Sequence, residues 1–490
     1  MVTTTKHRLS AHIKLLAVAA TAAFLTPALN VQAQQPFPTI AELISLEKLK
    51  AELTAQGKSI PTGAGIRVGI VEGYGSIELG NYLPNASDSQ FTGKVITDRT
   101  LSGTSPIASS HATTALRYFV GNQSSVSPGV TQVDAFSASD FFNSYLSPSV
   151  NRAIEAKVLN HSYIMTTANA TVQTLDMLNA WMDNVVNRDQ VTNIVSLNNG
   201  SATPTPEVYA SSYNSIVVGR TDGNHSSGDT TRMVSGRTKP DIVAPNNAVS
   251  FAAPLVASTA AMLHSVAAAE NMSDADRPEV MKAILMAGAD KNAIGFATEW
   301  SNSSTRPLDA NYGAGELDVY NSYKILTAGQ HDGTLTFETS PNELAGWDFG
   351  SIQAGQNLFW NFEIGNGMTA TEVSILLTWN AQYPGLALNA GNIAFTLANM
   401  RLSLYNAQDL LNPLWVSDSA IDNVEHIYLR DLTAGNYAFS VSSNSSSTFA
   451  IAWNVSAVPE PSSIACLSCT FGLIGFRWYR GRRKSDPTNV

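Results

Sequence analysis

The sequence predicts an α/β fold with a doubly wound, mainly parallel sheet, followed by an all-β sandwich domain. Three observations predict it. Between residue 66 and about residue 328, short apolar runs alternate with stretches of helical spacing, the pattern of a parallel sheet covered by helices on both faces. From residue 333 to 455 the pattern changes to short runs of alternating polarity separated by Gly, Asn and Pro, as in a sandwich. The chain has 490 residues, 44% of them hydrophobic and 14% charged, apolar enough for buried cores in two or three domains.

The N-terminal elements come first. Lys6, Arg8 and Lys14 flank an apolar stretch over residues 15–25, and Val31-Gln32-Ala33 offers a small-x-small cleavage site. Residues 1–33 therefore read as a secretory signal peptide, since the stretch is short for the ~30 Å of a bilayer core. Residues 34–60, with Ile40, Leu43, Ile44, Leu46 and Leu49, read as one helix and a linker.

In the body, residues 66–71, 130–136, 157–163, 193–197 and 215–219 read as buried strands. Residues 150–156 and 175–186 read as helices, and residues 251–269 as a long apolar one. The β region contributes alternating runs at 334–338, 359–364, 374–379, 401–405, 437–441 and 449–453.

At the C-terminus, Val458-Pro459-Glu460-Pro461 precedes an apolar run over residues 464–476. Arg477, Arg480, Arg482, Arg483 and Lys484 then follow. Physically this is a stop-transfer element: a short transmembrane helix with its basic end on the cytoplasmic side. The sequence has 2 cysteines, Cys466 and Cys469, both inside that run. Without a second pair their Cys-x-x-Cys spacing reads as small membrane-facing residues, so the body carries no disulfide.

The formal net charge of −10 excludes a nucleic-acid-binding core, which needs a basic face. Residues 1–33 carry +3 and residues 477–490 carry +4, leaving −17 for the body between them.

Three segments bear chemistry. Val68-Gly69-Ile70-Val71-Glu72 delivers a carboxylate at the end of a buried strand. Ser110-His111-Ala112-Thr113-Thr114 sets a His at a helix start. Lys239-Pro240-Asp241-Ile242-Val243-Ala244-Pro245 leads to Ser250-Phe251-Ala252-Ala253-Pro254, where Ser250 enters a helix. Pro254 is expected within the first turn, which sets the helix start close to Ser250. The positive helix end favours negative charge developing there, and ligands of such sheets bind beyond the carboxyl ends of strands. Singly, Glu72 reads as a solvated strand end, His111 as a surface residue, Ser250 as an N-cap and Asn199 as a turn residue. Their joint order gives them meaning.

That order, together with the Lys-Pro-Asp-Ile-Val-Ala-Pro and Ser-Phe-Ala-Ala-Pro strings, resembles the subtilisin-like serine proteases (subtilases) over residues 61–328. Val158-Leu159-Asn160-His161-Ser162 resembles the family's groove strand, and residues 193–200 the strand ending in its oxyanion Asn, here Asn199. Ile216-Val217-Val218-Gly219, residues 281–290 and Tyr312-Gly313-Ala314-Gly315 resemble later family segments.

The resemblance implies a subtilisin-like fold and a serine endopeptidase acting on a protein or peptide substrate. Ser250 would be the nucleophile, His111 its general base and later acid, and Glu72 the group orienting the imidazole. Asn199 and a backbone N–H near Ser250 would serve the oxyanion, and Asn160 and Ser162 would bind substrate. No cofactor is implied; calcium sites are common in the family, but no ligand set is identified here.

The departures are Glu72 in place of Asp, Ala112 and Thr114 in place of Gly and His, Ala248-Val249 in place of Gly-Thr, and a short loop between Pro245 and Ser250. They motivate a second reading, a catalytically weakened or inactive scaffold or binding protein of the extracellular matrix. A third, a carbohydrate-binding surface protein, rests on the sandwich and several Trp.

Residues 402–453, with Ala434-Gly435-Asn436-Tyr437, are similar to prepeptidase C-terminal-type modules within a domain spanning 329–457. The tail, residues 458–490, resembles the PEP-CTERM sorting signal. This implies an exosortase-type partner and export to the cell surface or extracellular matrix of a Gram-negative bacterium, after a transient C-terminal membrane anchor.

Overall fold

The computed structural model describes residues 38–74, 80–101, 107–148, 150, 152–165, 170–384 and 393–460. The expected signal peptide and the apolar and basic parts of the tail lie outside the described residues.

The chain opens with two short helices, α1 (Ile40–Leu43) and α2 (Leu46–Ala55), where one was expected. Ser45 breaks them apart with a left-handed φ of 59°. Leu46, Leu49 and Leu53 of α2 are buried in the apolar cluster that also contains the central helices.

Strands β1 (Arg67–Glu72), β2 (Val95–Asp98), β3 (Gln132–Ser137), β4 (Val158–His161), β5 (Thr192–Ser196) and β6 (Ile216–Arg220) belong to one sheet. A small ribbon, β7 (Gly228–Asp229) with β8 (Thr238–Lys239), precedes β9 (Ile242–Ala244), the sheet's seventh strand. The order is β2-β3-β1-β4-β5-β6-β9 and every neighbouring pair is parallel.

Parallel strands are apolar throughout because both faces are covered. Val68, Ile70, Val158, Ile194 and Val218 face a cluster with α3 (Ser110–Val120) and α6 (Val249–Ala269). Val71, Phe136, Leu159 and Val195 face the other way, onto α4 (Ala138–Phe141), the turn that extends it to Leu146, and α5 (Val172–Asp189). Strands β2 and β3 lie on one side of β1 and β4, β5, β6 and β9 on the other, a switch in strand order of the kind beyond whose carboxyl ends such sheets bind ligands.

Residues 150–156, expected as helix, contain no helix among the described residues. Burial there alternates, with Ile154 and Ala156 inside and Ala153 and Glu155 outside. This is the period of an extended chain running into β4. Pro254 is also not in the first turn. The helix starts at Val249, so Pro254 is its sixth residue. α6 is long and apolar enough to cross a membrane by composition, but 83% of its most apolar window is buried in the protein; it is the central core helix.

Helices α7 (Pro278–Gly288) and α8 (Val319–Ala328) lead to a second sheet. Its strands are β10 (Ala345–Ile352), β11 (Asn357–Thr378), β12 (Met400–Asn406), β13 (Trp415–Ser417), β14 (Val424–Leu429), β15 (Leu432–Ser443) and β16 (Ser447–Pro459). All pairings are antiparallel, in the order β10-β16-β11-β15-β12-β13, with β14 also on β11.

The runs 359–364 and 374–379, expected as separate strands, are the two halves of β11. The first half pairs with β15 and the second with β14. The expected strand at 334–338 forms only an isolated bridge, Thr334 to Phe359. One face of the sheet holds its own core around Trp360, Ile375, Phe439 and Trp453. The other presents Leu376, Ala450 and Ala452 to the cluster containing α6 and α7. Every residue of α7 is therefore buried, as expected for a helix covered all round.

Candidate active site

Glu72 ends β1 and is 1% exposed. Gly69 lies three residues before it because β4 crosses close by: a Cβ there would meet Leu159 Cδ2 at 2.5 Å. Ser109 caps α3 by accepting the Ala112 N–H at 3.2 Å, so His111 sits in the first turn. Thr113 anchors that turn; its hydroxyl donates to Ser109 O and accepts the Asn85 N–H.

His111 Nδ1 lies 3.0 Å from Glu72 Oε2. A carboxylate accepts, so Nδ1 carries the proton and Nε2 is left as the basic nitrogen of the neutral ring. Burial pushes the Glu72 carboxyl up, and the hydrogen bond and charge of His111 oppose this only in part. The Glu72 carboxylate in turn raises the His111 imidazole above its ordinary value, against the effect of burial. Glu72 Oε1 is buried without a hydrogen-bond partner among the described residues. The His111 side chain is 40% exposed, so the imidazole is open to solvent while its carboxylate is not.

The His111 ring packs on Phe251, centroids 5.5 Å apart, and Phe251 also meets Tyr118 of α3 at 6.0 Å. Because Phe251 directly follows Ser250, this contact brings the imidazole beside the first turn of α6. No hydrogen bond joins His111 to Ser250 among the described residues. Ser250 is half-buried at the second position of α6, where its N–H is one of the amides that a helix start leaves without an intrahelical acceptor.

Ala248 has no side chain with which to cap α6. Asn199, just beyond β5, does so from another element: its Oδ1 accepts the Val249 N–H at 3.0 Å. Because the backbone partner is a donor, the amide orientation follows from chemistry, and Asn199 Nδ2 remains as a donor next to the helix start. The short loop before Ser250 is held by Asn246, whose Nδ2 donates to Phe251 O at 3.2 Å.

Ser162, just past β4, is buried, and its hydroxyl donates to the Ser250 carbonyl at 2.8 Å. Asn160 is fully buried and its Nδ2 donates to Ser162 Oγ at 2.8 Å. Both side chains thus face the helix that carries Ser250. Glu72 ends β1, and Ser162 and Asn199 follow β4 and β5, so the three lie at the carboxyl ends of adjacent parallel strands. Sequence reasoning missed Phe251 as the neighbour of His111; its position next to Ser250 was the available signal.

The Lys239-Pro240-Asp241 segment is a buried anchor. Lys239 Nζ reaches both Asp241 oxygens at 2.8 Å, and Asp241 Oδ2 accepts the Val217 N–H at 2.8 Å. Lys282 of α7 lies 4.0 Å from Asp241 and donates to Tyr213 O and Ser215 O at 3.0 Å each; burial pushes its amine down to about 8. Gly313, at φ 59°, passes so close that a Cβ would meet Asp241 backbone at 2.5 Å.

Beside the site, a mostly apolar cavity of about 340 Å³ is lined by Gly73, Tyr74, Phe142, Tyr163, Met165 and Leu178 among others. Among the described residues, no cluster of His, Cys, Asp and Glu could hold a metal ion.

No protein-family model matches the chain, and no curated protein matches it. Solved structures do. The prenylagaramide maturation protease PagA is similar over 57% of this chain and 98% of its own, at 19% identity and a TM-score of 0.38. The patellamide maturation protease PatA is similar over 55% of this chain and 98% of its own, at 17% identity and a TM-score of 0.34. A serine protease of Aeromonas sobria is similar over 80% of this chain and 88% of its own, at 12% identity and a TM-score of 0.37.

Proposed function

We propose that the chain is an exported subtilisin-like serine endopeptidase working through Glu72, His111 and Ser250. The observation that carries this is the 3.0 Å contact of Glu72 with His111 Nδ1, with the same imidazole packed on the residue after Ser250. His111 Nε2 removes the Ser250 Oγ proton as the oxygen attacks the substrate carbonyl. Asn199 Nδ2 and the Ser250 N–H donate to the oxygen as it becomes negative. His111 returns the proton to the leaving amine, giving an acyl-enzyme that water hydrolyses by the same steps. Glu72, 1% exposed, stabilises the imidazolium formed in each half-reaction. The adjoining cavity is suited to an apolar substrate side chain.

The signal-like N-terminus and the PEP-CTERM-like tail support export and release by an exosortase-type enzyme. A second reading, a weakened or inactive matrix scaffold, is favoured by the missing His111–Ser250 hydrogen bond, although such bonds are often long before substrate binds. The carbohydrate reading loses most of its Trp support: Trp347, Trp360, Trp379 and Trp453 are buried, and Trp415 is half-buried.

The test is hydrolysis of an unfolded protein substrate by the purified full chain at pH 8, with Ser250→Ala as control. Cleavage that disappears in the control supports the protease. Cleavage that survives it, or its absence from both, overturns it in favour of the scaffold.

A further inference from the structure

We propose that Ser162 is a positioning residue for Ser250, completing a hydrogen bond that Pro254 cannot make; this rests on the hydrolase reading above. Pro254 lies four residues after Ser250 in α6. In a regular helix the N–H of residue 254 would donate to the carbonyl of residue 250. Proline has no N–H, so that carbonyl loses its helical partner, in the turn that must hold the nucleophile still. Ser162 supplies the missing donor from a different element, at 2.8 Å.

The hydroxyl is itself oriented. Asn160 Nδ2 donates to Ser162 Oγ at 2.8 Å, so the Ser162 lone pair is occupied and its hydrogen turns toward Ser250 O. The polarity runs one way, from the Asn160 amide through the Ser162 hydroxyl to the Ser250 carbonyl, and chains of this kind strengthen each member.

Asn160 is retained at a cost. It is 0% exposed, and its Oδ1 has no partner among the described residues. A buried unpaired acceptor gives up its hydration without a protein partner in return. An apolar strand residue would avoid that penalty but could not orient Ser162. Full burial also keeps the Asn160 side chain from touching substrate, and the Ser162 hydrogen is already committed to the helix. The two side chains are therefore committed to tethering the nucleophile.

The tether decides which way the first turn of α6 faces. The same turn carries the Ser250 hydroxyl, the Ser250 N–H and the Val249 N–H that Asn199 holds. Releasing one carbonyl lets all of these shift together relative to His111. A misplacement near 1 Å costs roughly 100-fold in rate.

A two-site cycle tests this. In the full chain, Ser162→Ala should lower kcat by about 10–100-fold with KM within about 3-fold. In a Pro254→Ala background, residue 254 can donate to Ser250 O itself. There the same Ser162→Ala change should cost less than about 3-fold in kcat. Ser162→Thr, which keeps the hydroxyl, should recover most of the rate.

A Ser162→Ala enzyme with unchanged kcat overturns the proposal. So does a loss expressed in KM, or an equal loss in both backgrounds. Thermal denaturation of the four proteins separates folding from positioning: coupling in kcat without matching coupling in midpoint supports positioning, and coupling in midpoint alone overturns it. A parent chain with no Ser250-dependent turnover overturns the hydrolase reading and this role with it. An active parent whose Ser162→Ala variant keeps its rate overturns this role alone.

Discussion

Glu72 Oε2 and His111 Nδ1 lie 3.0 Å apart, joining the carboxyl end of a buried strand to the first turn of the helix beside it. A glutamate, one methylene longer than an aspartate, makes this contact from a strand end that is 1% exposed.

Shortening that side chain should therefore harm the site. Glu72→Asp withdraws the carboxylate by roughly 1 Å and should lower kcat/KM by about 10–100-fold. Glu72→Gln keeps the length but removes the charge that stabilises the imidazolium, and should lower kcat by on the order of 10⁴-fold. Steady-state kinetics on one peptide substrate check both. A rate increase in Glu72→Asp would contradict the fit seen here.

The pH profile follows from the same pair. Glu72 raises the His111 imidazole above its ordinary 6.5, and the base must be neutral to accept the Ser250 proton. The acid limb of kcat/KM should therefore lie above pH 6.5 and move down in Glu72→Gln. Stability has the opposite sign. A raised folded-state value means the pair's contribution is complete below the unfolded value and fades as pH rises through the folded one. Denaturation midpoints compared between parent and His111→Ala across pH 5–9 test that direction.

Asn199 gives a separable prediction. Asn199→Ala removes the Nδ2 donor and the cap on Val249 together. The expected effect is about 10²–10³-fold in kcat, with KM little changed. An effect confined to KM would mean that the amide binds the peptide rather than the oxyanion.

Two stability predictions concern the scaffold. Asp241→Asn strips the charge from a buried partner 2.8 Å from Lys239, and should cost about 3–5 kcal/mol in chemical denaturation. Leu49 of α2 is 2% exposed within the central cluster, so Leu49→Ala should cost about 2–5 kcal/mol. A negligible loss at Leu49 would mean that the N-terminal helices are dispensable to the folded body.

The parallel sheet was legible in sequence because each strand is buried on both faces and reads as an unbroken apolar run, as in residues 67–72 and 216–220. The candidate residues Glu72, His111 and Ser250 stood out through motif order, since each stands where a strand ends or a helix begins. Residues 150–156 misled because a short apolar segment looks alike at periods of 2 and 3.6, and only burial separates the two. β11 looked like two strands because its polar middle, Gly365 to Gly367, resembles a turn. Pro254 looked like a first-turn residue because the rule for proline assumes that the freed carbonyl has no other donor, and Ser162 comes from a strand far away in sequence.

The most direct measurement is peptide mapping of the purified full chain after reaction with a fluorophosphonate at pH 8. The account predicts a single adduct on Ser250 that is lost in His111→Ala. An unlabelled chain, or an adduct on another residue with Ser250 unmodified, would contradict it.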